Sequence, residues 1–137
     1  MKYLIQLQGD QAAYDAMGGK ASSGNPAWAP ADVQAMIAHM DALNKDLAGA
    51  GELVDAQGLD EPAKASVVSL GADGKPSVAR GGHGTAHASA LAGYWLVDVA
   101  SEERAVEIAG RALLCPVPEG SDVPPVIVQP IGEAPEA

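Results

Sequence analysis

The run Gly93 to Val99, GYWLVDV, constrains the fold more than any other segment of the chain. Trp95, Val97 and Val99 alternate with Tyr94, Leu96 and Asp98, so an extended strand here is apolar on nearly every position. That pattern belongs to a central strand with both faces covered. The chain must therefore build a sheet around it. The material for doing so is limited: hydrophobic residues make up 47% of the 137 positions, but 27 of them are Ala and Phe is absent. The expectation is one domain, residues 1–137, with a thin core that gains by burial against a second copy of itself.

Outward from that strand, Tyr3, Ile5 and Leu7 alternate with Lys2, Gln6 and Gln8, which predicts a half-buried first strand. Residues 11–30 are rich in turn formers and read as a long, partly ordered loop. Val33, Met36, Ile37, Met40, Leu43 and Leu47 recur at helical spacing from Pro30 onward, with Asp32 in the first turn and Gly49 or Gly51 to end the helix. A short strand over 52–56 follows. Two strand-like runs, 64–70 and 76–79, flank Asp73-Gly74, a hairpin signal. Ser101 is placed to cap a second helix, with Glu102 and Glu103 at its positive end and Ala105, Val106, Ala109, Ala112 and Leu113 as its inward stripe. A last strand spans 126–131, and residues 132–137 form a flexible tail. The class is α+β: a ferredoxin-like βαββαβ with an extra β-hairpin strand. Two helices on one face leave the other open for a homodimer, a dimeric α/β barrel.

Charge narrows the choice of partner. Lys and Arg number 8 against 18 Asp and Glu, a net charge of −10. The basic residues are scattered, whereas a nucleic-acid groove needs a stripe of them, so no nucleic acid is expected. No apolar run approaches the roughly 20 residues that span a bilayer, and MKYLIQLQGD turns polar too early for a signal peptide, so no membrane is expected. The single cysteine, Cys115, suits a reducing compartment. A cytoplasmic location is expected.

The opening MKYL with Gly9-Asp10, the run MDALNKDLAGAGELVDAQGLDEPAKASVV, the run AGYWLVDVASEERAVEIAGRA and the closing VIVQPIGE together resemble the YCII-related family in its longer branch. The resemblance covers most of residues 1–10 and 33–133. It implies a ferredoxin-like domain that dimerises into an α/β barrel, in a family of unsettled function. Some relatives are held to be enzymes using a His/Asp pair, and some longer-branch members accompany extracytoplasmic-function sigma factors. Where that branch carries Asp-Gly-Pro-Phe followed by Glu and Lys, this chain reads Arg80-Gly81-Gly82-His83-Gly84-Thr85-Ala86-His87-Ala88-Ser89. The acidic motif is lost, and any role of its Asp does not carry over. His39 lies near the place of a catalytic His in shorter relatives, with Met40 in register.

The candidate chemistry gathers around residues 80–92. His83 and His87 stand four apart; on a helix both imidazoles would share a face, as nitrogen ligands of a metal do. No Cys, Asp or Glu within residues 76–97 completes a ligand set, so no metal and no cofactor is expected. A loop histidine titrating near neutrality, His83 or His87, would instead serve as general acid or base, with Asp98 or Tyr94 orienting the substrate. Asp98 either reaches solvent at the strand's end or, if buried, needs a partner such as Arg80, Arg104 or a histidine. Arg80, Tyr94 and Trp28 are candidate ligand-binding residues. Trp95 and Tyr94 also suit a core or a dimer interface. His39 reads as a helix-boundary residue bonded to a neighbour. Cys115 precedes a proline and has no basic neighbour in sequence, against a nucleophile's role.

Three functions remain open. The first is a dimeric small-molecule-binding or accessory protein with a cleft bordered by residues 80–92. The second is a small cofactor-independent enzyme using a loop histidine. The third is a regulatory partner of a sigma factor. An enzyme requires histidines and a carboxylate converging on a cleft; a binding module requires an apolar cleft without such a pair.

Overall fold

A computed structural model describes residues 1–81 and 90–133. Within them the chain forms an antiparallel sheet of four strands: β1 (Lys2–Gly9), β2 (Leu53–Gly58), β5 (Ala90–Asp98) and β6 (Ile127–Pro130). A separate hairpin pairs β3 (Ser66–Leu70) with β4 (Pro76–Arg80), and three helices are α1 (Gln11–Met17), α2 (Pro30–Gly49) and α3 (Glu102–Leu113). The sheet order is β2-β5-β1-β6, compatible with a ferredoxin-like fold. The strand from Ala90 to Asp98 holds a central position, paired on one side with β1 and on the other with β2. Among the described residues no helix is long and apolar enough to cross a membrane.

Sequence punctuation explains where the helices begin and end. Ser101 Oγ accepts from the Arg104 amide at 3.2 Å, and Glu102 and Glu103 follow in the first turn of α3. Asp32 Oδ2 accepts from the Ala29 amide at 2.7 Å, closing the start of α2. At the other end Gly51 takes φ +73°, letting the Gly51 and Glu52 amides return to the carbonyls of Ala48 and Leu47. Glycine tolerates that left-handed turn at little cost.

Residues 11–30 do not form the expected loop throughout. Asp10 Oδ1 accepts from the Ala13 amide at 2.8 Å and starts α1, whose buried positions are Ala12 and Ala16. A helix whose buried positions are both alanine leaves almost no hydrophobic periodicity to read. The inward stripe of α3 also differs from expectation. Ala105, Ile108, Ala109 and Ala112 are buried, while Val106 and Leu113 face outward. Positions i, i+3, i+4 and i+7 define the stripe, and Val106 lies off that face.

The core joins one sheet face to α2 and α3. Ile5, Leu43, Leu47, Val97 and Ile108 are its largest fully shielded side chains. Tyr3, Trp95 and Val99 complete the sheet side. The helices are also clamped to each other: His39 Nε2 donates to the Arg111 carbonyl at 2.7 Å, and Arg111 Nη2 donates to Asp46 Oδ2 at 2.7 Å. The hairpin stays outside this core. Gly74 at φ +77° makes its turn, and the Lys75 amide donates to Asp73 Oδ1, but every residue of β3 and β4 is exposed.

Arg104 ties α3 to the start of β2. Its Nε and Nη2 both donate to the Glu52 carboxylate, at 3.0 and 2.9 Å for the shortest contacts. The guanidinium holds the Glu52 carboxyl below its ordinary value, so the pair stabilises the fold fully above the unfolded carboxylate pKa near 4.5. That contribution is lost as pH falls through the lower folded value. Glu52→Gln is expected to cost about 1 kcal/mol at neutral pH, a figure reduced by solvent screening. Urea unfolding of both proteins checks it: the difference should disappear in acid, and a difference unchanged by pH would contradict the assignment.

Candidate functional site

Only the C-terminal half of α2 is seated in the core. Leu43 and Leu47 are fully buried, Met36 and Met40 are half-buried, and Ile37 is exposed. Towards its N-terminus the helix leaves the sheet uncovered, and the gap is a cleft of about 430 Å³. Its floor is the sheet, from Leu7 of β1, Trp95 of β5 and Ala56 of β2. Its walls are Met36 and Met40 of α2, and Ala13, Tyr14 and Met17 of α1. The size lies within the range usual for small-molecule sites.

Backbone irregularities shape the mouth. The β1–β5 register shifts between Leu7 and Gln8, and bulges of this kind re-aim side chains at sheet ends. Gly93 lies so close to β2 that an added Cβ would stand 2.9 Å from the Gln57 carbonyl oxygen. Helix α1 is held over the opening by polar contacts. Tyr14 donates to the Leu59 carbonyl at 2.8 Å, with the Ala92 carbonyl at 3.2 Å, and Gln11 Oε1 accepts from the Ala63 amide. Burial first, and the Asp60 charge second, push the Tyr14 phenol above its ordinary pKa, so it stays a neutral donor.

Inside the cleft one polar pair stands out. The Trp95 indole Nε1 donates to Asn44 Oδ1 at 2.6 Å. An indole N–H only donates, so the amide oxygen must be the atom facing it. None of the side chains lining the cleft is charged at neutral pH, although the chain as a whole carries −10. Among the described residues no acid–base pair meets there, and no group of three or more His, Cys, Asp or Glu comes together anywhere.

The residues singled out from sequence are dispersed. His83 and His87 lie outside the described residues. Asp98 is exposed, at the opposite end of the β1–β5 ladder from Gly9 and Ala90, where it pairs with the Met1 amine at 2.9 Å. That amine first of all holds its carboxyl below the usual range. At strand spacing it stands about 13 Å along β5 from Tyr94, too far to share a bound group with the cleft. Arg80 is exposed at the end of the hairpin, and Trp28 is half-buried beyond the cleft, its amide bonded to the Ala16 carbonyl. Tyr94 is among the residues at the cleft, but alternation with Trp95 turns its side chain to the other sheet face, where its hydroxyl donates to Asp55 Oδ2 at 2.7 Å. That bond raises the Tyr94 pKa and lowers that of Asp55. Burial pushes the Cys115 thiol up, away from the thiolate a nucleophile needs.

Of the segment bordering the expected cleft, Ala92 lines the methionine cleft. Ala90 and Leu91 line a broader hollow of about 660 Å³ beside Pro62 and Val67. Sequence reasoning missed Tyr14 and Asn44, and it read Met36 and Met40 only as part of the helix's apolar spacing. A signal existed, since Met36, Met40 and Asn44 follow one another at four-residue steps along one helix face. No known family model matches the chain, and no curated protein matches it significantly.

Replacing Tyr14 by Phe removes the donor that holds α1 down. Hydrogen exchange of the α1 amides is expected to quicken about fivefold, the equivalent of one ordinary hydrogen bond. Unchanged protection would show that alanine packing and the Gln11–Ala63 bond hold α1 without the tyrosine hydroxyl.

Proposed function

We propose that this chain is a small-molecule-binding or accessory protein of the YCII-related kind, taking its ligand into the cleft between α1, α2 and the sheet. The observation that carries the reading is the cleft's lining: three methionines, Trp95, leucines and small residues, with the neutral polar groups of Gln8, Tyr14, Asn44 and Gln57 and no ionised side chain among them. Thioethers on flexible side chains adapt to varied apolar shapes and pack well against aromatic rings. A few neutral polar atoms fix orientation while apolar contact supplies affinity. The strand order β2-β5-β1-β6 is compatible with the ferredoxin-like fold that this reading implies.

A second copy of the chain packs against the sheet face that the helices leave open, giving the dimeric α/β barrel. Leu4 and Leu96 sit opposite each other on that face, beside half-exposed Tyr94 and exposed Ile127. Apolar side chains in the middle of a sheet face without a covering layer favour association. Light scattering behind a sizing column should give twice the 13.8 kDa chain mass, and Leu96→Asp should shift it towards one chain. A wild-type monomer at micromolar concentration would overturn the dimer.

Ligand binding is tested with Nile red, a neutral apolar dye that brightens when taken out of water. Binding in the wild type and its loss in Met36→Trp, which fills the cleft from a half-buried helix position, is the expected result. The thermal midpoint should stay within a few degrees, because Leu43 and Leu47 are untouched. Equal dye binding by both proteins would place the site elsewhere and contradict the proposal.

A further inference from the structure

The chemistry of the cleft narrows its ligand. This inference rests on the proposed binding role and concerns what the site selects. An ionised ligand would leave water for a lining that holds no opposite charge, a transfer that costs far more than it returns. The ligand is therefore uncharged. The methionine sulfurs of Met17, Met36 and Met40, with the Trp95 ring among the lining groups, favour an aromatic body.

Asn44 determines the polar end. Its oxygen is committed to the Trp95 indole, which fixes the amide plane and leaves Nδ2 with two hydrogens to donate. Among the described residues Nδ2 has no protein acceptor, although Asn44 is half-buried and belongs to the cleft lining. Tyr14 does not fill that need, because it belongs to α1 and its proton goes to the Leu59 and Ala92 carbonyls. Nδ2 is open to solvent in the cleft, so a ligand that displaces water from this oriented donor must bring an acceptor in its place.

We infer that the cleft binds a neutral aromatic molecule bearing a carbonyl group, whose oxygen accepts from Asn44 Nδ2. The Trp95–Asn44 bond is then a positioning device: it costs the site nothing on binding, since the amide is already turned to present its donor face. Selectivity for the carbonyl over a hydrocarbon of the same shape follows from that oriented amide, Gln8 and Gln57 being the lining's other two. Exclusion of anions follows from the uncharged lining.

The probes are 2-acetylnaphthalene, 2-ethylnaphthalene and 2-naphthoate, each displacing Nile red from the wild type and from Asn44→Asp. Aspartate keeps an oxygen for the Trp95 indole but loses the donor, and circular dichroism checks that the variant folds. The expected result is that the wild type favours the ketone over the hydrocarbon, that Asn44→Asp shifts this ratio about tenfold towards the hydrocarbon, and that naphthoate competes poorly. If both neutral probes bind the wild type and the variant with the same ratio, the role of Asn44 is overturned while the binding cleft stands. If naphthoate binds best, the selection for neutral ligands is overturned. If no probe and no dye binds, the binding role itself falls.

Discussion

Five fully shielded side chains, Ile5, Leu43, Leu47, Val97 and Ile108, fasten two helices to one face of the sheet, and the remaining architecture depends on that contact. Burying each contributes on the order of 2 kcal/mol relative to exposure. No phenylalanine is present to extend the contact, and much of the neighbouring packing is alanine, from Ala105 to Ala112 of α3. A core this small cannot seat the whole of a 20-residue helix. Its C-terminal half is anchored by Leu43 and Leu47, with Met40 packed at the core's edge, while its N-terminal half, carrying Met36, borders the cleft.

The cleft is thus a consequence of where the core ends. Where larger side chains would have pulled α2 flat onto the sheet, half-buried methionines leave room, and α1 closes the side through Tyr14. Shape and chemistry have one origin: the residues too flexible to lock the helix down also make the lining adaptable and uncharged. The charged groups are kept elsewhere. Arg104 and Glu52 lie at the start of β2, Arg111 and Asp46 join the helices, and Asp98 meets the Met1 amine at the far end of the ladder.

Much of this was legible in the sequence because local chemistry and the global fold agree at those points. Ser101 caps a helix, Gly51 ends one, Asp73-Gly74 turns a hairpin, and GYWLVDV runs through the sheet interior. What was not legible has particular causes. Helix α1 buries only Ala12 and Ala16, so its start at Asp10 was masked by the turn formers that follow. Met36 and Met40 have the spacing of core residues, and only the path of the helix distinguishes a filled core from a cleft wall. Asn44 carries no motif; its meaning comes from Trp95, 51 positions away in the chain. The spacing of His83 and His87 pointed to residues 80–92, of whose described residues Ala92 alone lines the cleft.

The central claim is that a ligand enters between Met17, Met36 and Met40. The chain has four methionines, and the fourth, Met1, lies at the opposite end of the sheet beside Asp98 and Val99. Methyl NMR of protein labelled with carbon-13 at the methionine methyls reads all four at once. On titration with 2-acetylnaphthalene, the account predicts that the signals of Met17, Met36 and Met40 move together along one saturating curve while Met1 stays in place. Movement of Met1 alone, or no movement of the other three at saturation, would contradict it.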